Sequence, residues 1–336
     1  MAVTPQSNAT LASIAQALCE HDNYLIVGHV SPDGDCLGSQ LSLMHALRQL
    51  GKSVQCVFAS DEKSVSASLS FLPGIDTIIP AENADFTPCV IAVDVPTHER
   101  MGEAAAALHQ HASFTVTLDH HANKEAVSTL NYVDPQQASA SCIVWELIGL
   151  LGVTRTREIA TCAFTGLITD TGSFRYQNAN ALCFRYASEM MECGVDLPFV
   201  CSQIFQRRSL ASLRLENTAI SRMRLLLDGS LAMTYVTLDD FAQANAVKTD
   251  ADIIVDTLRS IDGVRVACVL RQGDEAQIRG SLRSKDATDI SLFAQAHNGG
   301  GHKAAAGMTL QGKVDQVFET IQAELCAYLQ NAWKEC

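Results

Sequence analysis

The sequence has little positive charge, and this restricts its possible partners. Its 24 lysines and arginines are outnumbered by 37 aspartates and glutamates, so the net charge is -13 at pH 7. An acidic chain repels a nucleic-acid backbone unless bound cations or a local basic patch reverse the sign. The composition therefore argues against a partner such as long duplex DNA or RNA, while small anionic substrates stay open.

The sequence also lacks a long apolar run and a secretory leader. No segment approaches the roughly 18 apolar residues that a membrane-spanning helix needs. The longest candidate, residues 142–153, is too short and contains Glu146. The first residues have neither the basic nor the apolar region of a leader. We therefore expect no membrane partner.

The 12 cysteines contain no C-x-x-C pair. Scattered cysteines without a secretory leader are typical of reduced, mostly buried thiols. We expect a soluble protein that is cytoplasmic.

The first half of the chain alternates apolar strands with helices. Strands are predicted at 24–30, 53–59, 89–95 and 113–120. Continuous apolar runs such as YLIVGHV are expected of strands that are buried on both faces. Strand–helix alternation of this kind predicts an α/β fold with a parallel sheet.

The pattern changes near residue 195, which predicts a second domain. Residues 199–227 have helical character, and strands are predicted at 230–238, 264–270 and 277–284. A chain of 336 residues suits two domains. We predict an N-terminal parallel-sheet domain at 1–194, a helical linker at 195–229 and a smaller α/β domain at 230–336.

Carboxylates and imidazoles follow the predicted strands where each strand ends. They are His29, Asp33 and Asp35 after the first strand, Asp94 after the third, and Asp119, His120 and His121 after the fourth. Asp170 follows a helix, in a stretch rich in glycine and threonine. In a parallel sheet, ligands bind outside the carboxyl ends of the strands. Carboxylates mixed with imidazoles suit Mn²⁺, Mg²⁺ or Fe²⁺, whereas a structural zinc site favours thiolates.

Each of these residues also has an ordinary structural interpretation. Asp33 or Asp35 could cap the helix that follows. Asp94 could open a turn before Pro96. A lone histidine at a strand end is usually only hydrogen-bonded. The coincidence of all four groups at one edge favours a metal centre, because two ions about 3.5–4 Å apart can activate water and stabilise a phosphoryl group.

The C-terminal part offers groups that suit an anion. Gly299, Gly300 and Gly301 would let backbone N–H groups approach a phosphate closely. Arg283 offers a bidentate fork and Ser284 a hydroxyl. The glycines fit a tight turn before the close-packed AAAG about as well, and a single arginine is more often a solvated surface residue.

Six segments together resemble the motifs of one family. HVSPDGDCLGS, AVDVP, LDHHANK and TGLITDTGSF are similar to the four motifs of the DHH phosphoesterase superfamily. RGSLRSK and HNGGGHKAAAG are similar to its associated C-terminal DHHA1 domain. Within the superfamily, the length and the GGGH segment resemble the bacterial oligoribonuclease/pAp phosphatases, the nanoRNases.

The resemblance implies roles for the residues that match its motifs. One metal ion would be held by His29, Asp33 and Asp94, and a second by Asp35, Asp94, His120 and Asp170, with Asp94 bridging. The catalytic residues would be Asp94, His120 and His121, and Asp119 would orient an imidazole. Substrate would be bound by His121, Arg283, Ser284, Gly299, Gly300, Gly301 and His302, with His121 turned away from the metal. The expected cofactors are two divalent ions, Mn²⁺ first, with Mg²⁺ or Co²⁺ as alternatives.

The implied activity is metal-dependent hydrolysis of short oligoribonucleotides to 5′-mononucleotides, and of 3′-phosphoadenosine 5′-phosphate (pAp) to AMP. We expect the protein to be a homodimer. We expect the substrate to lie in a cleft between the two domains of each subunit. A phosphodiesterase for cyclic dinucleotides or for linear pApA or pGpG is an alternative, as is a RecJ-like single-strand exonuclease. A DHH inorganic pyrophosphatase would carry a different C-terminal domain. A non-catalytic nucleotide sensor would have lost metal ligands, and none is lost in this sequence.

Overall fold

The computed structural model describes residues 4, 6–59, 65–122, 126–273, 276–286 and 288–334, apart from the side chain of His302. The end of the LDHHANK motif, residues 123 and 124, lies outside the described residues. The chain divides into two compact units, Met1–Arg207 and Arg208–Cys336. Residues 195–207 of the predicted linker belong to the first unit and 208–229 to the second.

The first unit alternates strands with helices. Its helices are α1 (Leu11–Glu20), α2 (Gly34–Gln49), α3 (His98–Met101), α4 (Glu103–His111), α5 (Ala140–Leu150), α6 (Arg157–Asp170), α7 (Ala181–Glu192) and α8 (Leu197–Phe205). Its strands are β1 (Tyr24–Val27), β2 (Val54–Phe58), β3 (Ile79–Pro80), β4 (Cys89–Val93), β5 (Phe114–Asp119) and β6 (Leu130–Val133). The sequence did not predict β3, which has only two residues, or β6, whose four residues LNYV are interrupted by a polar asparagine and form no continuous apolar run.

The described strands of the first unit form one parallel sheet in the order β3-β2-β1-β4-β5-β6. Every residue of β1 is buried. Tyr24 and Ile26 enter the core formed with α1, α2, α5 and α6, whereas Leu25 and Val27 enter the core formed with α3 and α4. Helices therefore cover both faces, which confirms the predicted buried parallel sheet.

Helix α2 packs closely on α6 because glycines lie at the contact. A Cβ at Gly38 would lie 2.4 Å from the carbonyl oxygen of Cys162. That oxygen is part of the α6 backbone, so no change of rotamer could make room. Gly34, in the first turn of α2, similarly faces Thr169 near the end of α6. The contact brings the start of α2 beside the end of α6.

The second unit contains a mixed sheet. Its helices are α9 (Leu210–Arg222), α10 (Leu238–Ala244), α11 (Ile254–Ser260), α12 (Ser291–Gln295) and α13 (Val314–Ala332). Its strands are β7 (Arg224–Leu226), β8 (Leu231–Val236), β9 (Val266–Gln272), β10 (Gln277–Ser284), β11 (Gly300–His302) and β12 (Ala305–Gln311). The order is β11-β12-β10-β9-β8-β7, and β8 and β9 form the parallel pair. The predicted smaller α/β domain is thus confirmed in its class.

Helices cover both faces of this sheet. α12 and α13 form a core with Ile278 and Leu282 of β10. On the other face, α9, α10 and α11 form a core with Ala267 and Val269 of β9. Although α13 has 19 residues, no described helix is both long and apolar enough to cross a membrane.

The segment predicted as one helix over residues 199–227 is two helices and a strand. α8 ends at Phe205, and Ser209 caps α9 by accepting a 2.8 Å hydrogen bond from the backbone N–H of Ser212. Residues 224–226 then form β7. The prediction of a continuous helix was wrong because apolar spacing alone does not reveal a break that a serine cap stabilises.

We expect Gly38→Ala to lower the free energy of unfolding by about 1–3 kcal/mol, the usual cost of adding a methyl group to a close-packed contact. Alanine otherwise favours a helix over glycine by about 1 kcal/mol, so a loss would identify the α6 contact as its cause. Urea unfolding followed by circular dichroism measures the difference.

Gly149→Ala in α5 is the matched control, because a Cβ there would meet the guanidinium of Arg155 and no backbone atom. That side chain can shift, although it would weaken its contacts with Trp145 and Glu189. Equal stability of the two variants would contradict the close contact between α2 and α6.

Candidate metal centre

Three neighbouring strands of the first sheet end at one place. β1, β4 and β5 lie side by side and parallel. Their carboxyl ends are followed by His29, Asp94 and His120. His29 and His120 are each 6% exposed and Asp94 is 2% exposed. The parallel order of the sheet therefore collects three buried polar side chains at one edge.

Asp94 lies at the centre of this group. One carboxylate oxygen, Oδ2, is 3.4 Å from His29 Nε2, and the other, Oδ1, is 3.5 Å from both His120 Nε2 and His121 Nδ1. Oδ1 is buried and has no hydrogen-bond partner among the described residues. The backbone at Asp94 has a φ of 53°, a left-handed conformation that costs free energy in a residue with a side chain. A strained, buried carboxylate with an unpartnered oxygen suits a ligand shared by two cations.

His29 is oriented for a metal ion by its own backbone neighbour. Its Nδ1 lies 2.8 Å from the carbonyl oxygen of Val30, which can only accept a hydrogen bond. A proton therefore sits on Nδ1, and Nε2 faces Asp94 and Asp33, where it would bind a metal ion once it is deprotonated. Asp33 Oδ1 is 3.7 Å from Nε2. The same oxygen accepts hydrogen bonds from the backbone N–H groups of Asp35 (3.0 Å) and Cys36 (3.1 Å), so Asp33 also caps α2.

A second group of ligand atoms surrounds His120. Its Nε2 is 3.8 Å from Asp35 Oδ2, 3.5 Å from Asp94 Oδ1 and 3.7 Å from Asp170 Oδ2. These separations exceed a hydrogen bond. Two atoms that each lie about 2.0–2.2 Å from one ion are roughly 3–4 Å apart. The spacing therefore fits a divalent cation bound between His120 and the carboxylates.

The carboxylates repel one another in the absence of a cation. Burial, followed by the charges of Asp94 and Asp170, raises the pKa of Asp35 well above its ordinary value. Burial likewise raises the pKa of Asp170 to about 6. Burial would lower the pKa of His120, but Asp170, Asp94 and Asp35 outweigh it and raise that pKa. Divalent cations would relieve this repulsion, and the mixed oxygen and imidazole donors fit such ions.

Asp35 is held by the start of α5. Its Oδ2 accepts a 2.7 Å hydrogen bond from the backbone N–H of Ala140, and its Oδ1 a 2.9 Å bond from that of Ser141. A helix N-terminus stabilises a negative charge. Sequence reasoning missed these donors, and the available signal was Ser139, an N-cap directly before an apolar helix. A Cβ at Gly166 would lie 2.6 Å from Asp35 Oδ1, so α6 also needs a glycine beside this carboxylate.

The adjacent histidines are tied together by Asp119. Asp119 Oδ1 accepts hydrogen bonds from the backbone N–H groups of His120 (2.8 Å) and His121 (3.2 Å), and lies 2.8 Å from His121 Nδ1. Burial would lower the pKa of His121, but Asp119 outweighs it and raises that pKa. The His121 ring is partly exposed and its Nδ1 also lies 3.5 Å from Asp94. His121 therefore borders the site, closer to Asp94 than the resemblance implied.

The structure brings together six of the predicted residues as possible metal-binding groups. Within the described ranges, the clusters are His29, Cys36 and Asp94; Asp94, His120 and His121; and Asp35, His120 and Asp170. Asp33 lies beside the first cluster through its contact with His29. The buried thiol of Cys36 was not predicted. Which side chain binds which ion stays a prediction.

In the second unit, Arg283 and Ser284 point in opposite directions, as adjacent residues of a strand do. Arg283 is partly exposed, and its Nε lies 3.9 Å from Asp256 Oδ1 of α11. Ser284 is 3% exposed, and its hydroxyl donates to Asp286 at 3.1 Å. Strand alternation could have separated the two residues at the sequence level. Of these two side chains, only that of Arg283 lies on the face of the sheet away from α12 and α13.

The glycine run is shaped by close contacts with β12. A Cβ at Gly299 would lie 2.0 Å from the carbonyl oxygen of Gly307, and one at Gly301 would lie 2.5 Å from that of Ala305. Gly301 also has a φ of 134°, which favours glycine. Gly300 faces open space. His302 pairs with Ala305 through its backbone, but its predicted side-chain role lies outside the described residues.

We expect Asp94→Ala to abolish binding of both metal ions while the fold is retained. The variant removes the carboxylate that faces both groups. Burial would raise the pKa of Asp94, but its contacts with His120 and His29 outweigh burial and lower that pKa, so the metal-free variant should fold but be less stable than the parent. Calorimetric titration with Mn²⁺ and thermal unfolding measure the two effects. Ser42→Ala, at a buried α2 position outside the clusters, is the control. Near-parental metal binding by Asp94→Ala would contradict the central role of Asp94.

Comparisons with known proteins agree with this geometry. The model of the DHH family N-terminal domain matches residues 23–167, and that of the DHHA1 domain matches residues 228–331. Two proteins named bifunctional oligoribonuclease and PAP phosphatase NrnA are similar to the chain. The one from Thermus thermophilus is 32% identical, covering 88% of this chain and 87% of its own length. The one from Bacillus subtilis is 28% identical, covering 91% and 95%.

A solved structure supports the same fold. It is an exopolyphosphatase-related protein from Bacteroides fragilis, with a TM-score of 0.88 and 26% identity, covering 96% of this chain and 97% of that one. Family models match both halves of the chain in the expected order, and a relative above 30% identity spans most of it. The chain therefore belongs to the DHH family of phosphoesterases and carries a DHHA1 domain after its DHH domain.

Proposed function

We propose that this protein is a metal-dependent hydrolase that degrades short oligoribonucleotides to 5′-mononucleotides and converts pAp to AMP. The observation that carries the proposal is the convergence of His29, Asp35, Asp94, His120 and Asp170 at one sheet edge. The names of the two NrnA relatives supply the substrate class.

The chemistry follows from the two groups around Asp94. Two bound divalent ions would supply an activated water and stabilise the charge that develops on the phosphoryl group. Asp94 would bridge them, because its two oxygens face opposite groups. His29 and Asp33 would complete one group; Asp35, His120 and Asp170 would complete the other.

His121 suits a role toward the substrate. Its ring is partly exposed, and Asp119 raises its pKa and holds its orientation. A protonated imidazole at the border of the site can donate a hydrogen bond to a phosphate oxygen and stabilise negative charge in the transition state. We propose His121 in this role, with Asp94 and His120 as the other catalytic residues.

In the second unit, Arg283 and the glycine run would recognise a phosphate. A guanidinium offers two parallel N–H donors, and Gly300 leaves its backbone open to an approaching anion. The Ser284 hydroxyl is engaged with Asp286, so we propose that it supports the end of β10 while Arg283 makes the contact. We also propose that His302 binds substrate, because it follows the three glycines in the HNGGGHKAAAG motif.

We propose Mn²⁺ as the physiological ion. Mg²⁺ prefers carboxylates, phosphates and water, whereas Mn²⁺ accepts imidazole alongside carboxylate. His29 and His120 both aim Nε2 at the carboxylates. Activity with Mn²⁺, Co²⁺ and Mg²⁺, each added to chelator-treated protein, orders the three ions. Mg²⁺ giving the highest turnover would contradict the assignment.

The domain limits, the homodimer and the cytoplasmic location stay proposals. The free thiols of the described cysteines suit a reducing compartment. Light scattering coupled to size exclusion measures the oligomeric state, and a mass of one chain would contradict the homodimer.

A substrate panel separates this proposal from its rivals. Turnover of pAp, pGpG, pApA, a short RNA and pyrophosphate should be compared with Mn²⁺ present. Preference for pApA or pGpG alone would favour a dinucleotide phosphodiesterase. Turnover of none of them by metal-loaded protein would favour the nucleotide sensor.

We expect Arg283→Ala to raise KM about ten- to a hundredfold, because one charge-assisted contact contributes about 1.5–3 kcal/mol. Metal binding should be unchanged, since Arg283 belongs to the second unit. Steady-state kinetics on a dinucleotide and Mn²⁺ titration measure the two effects. Arg224→Ala is the control, because Arg224 lies on β7 at the far edge of the sheet and pairs with Glu319. Loss of metal by Arg283→Ala would contradict the proposed division of roles.

Substrate length gives a further test. We expect kcat/KM to be highest for dinucleotides to tetranucleotides and to fall for a twenty-nucleotide RNA. The net charge of -13 repels a long backbone, and this repulsion is stronger at low salt. Rates on both lengths should be compared at two salt concentrations. Equal or faster cleavage of the long strand would favour the RecJ-like activity.

A further inference from the structure

Asn178 joins the end of α6 to the segment before α5. Its side-chain Nδ2 donates hydrogen bonds to the carbonyl oxygen of Ala138 (2.8 Å), the carbonyl oxygen of Asp170 (3.1 Å) and Asp170 Oδ2 (3.4 Å). Asn178 follows the TGLITDTGSF segment and belongs to none of the metal-binding clusters. It nevertheless contacts the carboxylate of one member directly.

The orientation of the amide is decided by its surroundings. Nδ2 faces three oxygen atoms, all of which can accept a hydrogen bond, so exchanging Oδ1 and Nδ2 would place oxygen against oxygen. Oδ1 is buried and has no hydrogen-bond partner among the described residues. An unsatisfied buried acceptor opposes folding. Stability alone therefore does not explain a buried amide at this position. The hydrogen bonds that Nδ2 donates explain it better.

Asp170 needs such a donor because of where it lies. It is the last residue of α6, where the helix dipole disfavours a negative charge. It also faces the carboxylates of Asp35 and Asp94 across His120. After α6, Gly172, Ser173 and Phe174 all have positive φ. This turn reverses the chain and lets residue 178 reach the carboxylate.

The same amide acts on Asp35 through the backbone. Ala138 lies two residues before Ala140, whose N–H donates to Asp35 Oδ2 at 2.7 Å. By holding the Ala138 carbonyl, Asn178 restrains the approach to the α5 N-terminus. One side chain thus connects the supports of two carboxylates, and these two lie 3.8 Å and 3.7 Å from His120 Nε2.

We propose that Asn178 is a positioning residue that holds Asp170 and, through Ala138, Asp35 at the spacing required to bind one of the two metal ions. The inference rests on the proposed metal centre. The Nδ2 group of Asn178 orients the Asp170 carboxylate, while Asn178 itself does not contact the ion.

The test is calorimetric titration of the full-length, chelator-treated protein with Mn²⁺. Asn178→Ala should weaken binding of one ion about 10- to 100-fold, the usual effect of removing a residue that orients a ligand, and leave the other within about twofold. Asn178→Asp should weaken it at least as much, because it keeps the shape of the side chain but presents an oxygen to Asp170. Thermal unfolding of the metal-free variants reports separately on stability.

Asn180→Ala is the matched control. Asn180 also reaches the segment before α5, through Nδ2 and the Gln136 carbonyl oxygen at 3.4 Å, and it caps α7. It makes no contact with Asp170 among the described hydrogen bonds. Its alanine variant should lose stability but bind both ions normally. Equal weakening in Asn180→Ala would overturn the proposal, because general loosening of the loop would then suffice.

The variant Asp170→Asn tests the proposed metal centre independently of the role of Asn178. If Asp170→Asn loses one ion while both Asn178 variants bind two ions normally, Asn178 does not position the ligand and the metal centre stands. If Asp170→Asn also binds two ions normally, the metal centre itself is wrong. If Asn178→Ala does not fold, Asn178→Asp decides the outcome alone.

Discussion

The buried carboxylate of Asp94 is the constraint on which the first unit depends. It lies just beyond β4, between strands whose following residues are His29 and His120, and a left-handed backbone turns it toward both. Such a group is stable only among partners of opposite charge. The histidines supply part of that charge, and divalent cations would supply the rest. Sheet order, strand ends and the close contact of α2 with α6 all serve to assemble this group.

Around Asp94 the ligands are supported from three directions. Backbone N–H groups of α5 hold Asp35, Asp119 holds His121, and the Asn178 amide holds Asp170. Each of these contacts fixes the orientation of a side chain at the site and does not itself supply a metal ligand. Since a divalent ion tolerates little error in the placement of its ligands, affinity should depend on these supports nearly as strongly as on the ligands themselves. In the second unit, by contrast, strand alternation separates Arg283, with its charge partly exposed, from the buried hydroxyl of Ser284.

Much of the fold and the ligand set could be predicted because apolar strands end abruptly in charged residues. YLIVGHV and CVIAVDV illustrate this pattern. Each has a continuous apolar run, which predicts a strand buried on both faces, followed by a histidine or an aspartate at the end of the strand. The break at Ser209 and the short strands β3 and β6 could not be predicted, because they depend on capping and on pairing with distant strands. The donors at Ala140 and Ser141 were missed because Ser139 indicates where α5 begins but not that its first N–H groups face the distant Asp35.

By itself, the sequence determined the α/β class, the order of the two domains, the family and the residue types that could bind metal, because apolar spacing and motif order are local properties of the chain. Only the tertiary structure decided which of those side chains meet. It brought Asp94 between two histidine groups, aimed the start of α5 at Asp35, and carried Asn178 back to Asp170. These contacts join residues up to about a hundred positions apart, as Ser141 and Asp35 are. Their geometry follows from strand order and helix packing, which no local pattern records.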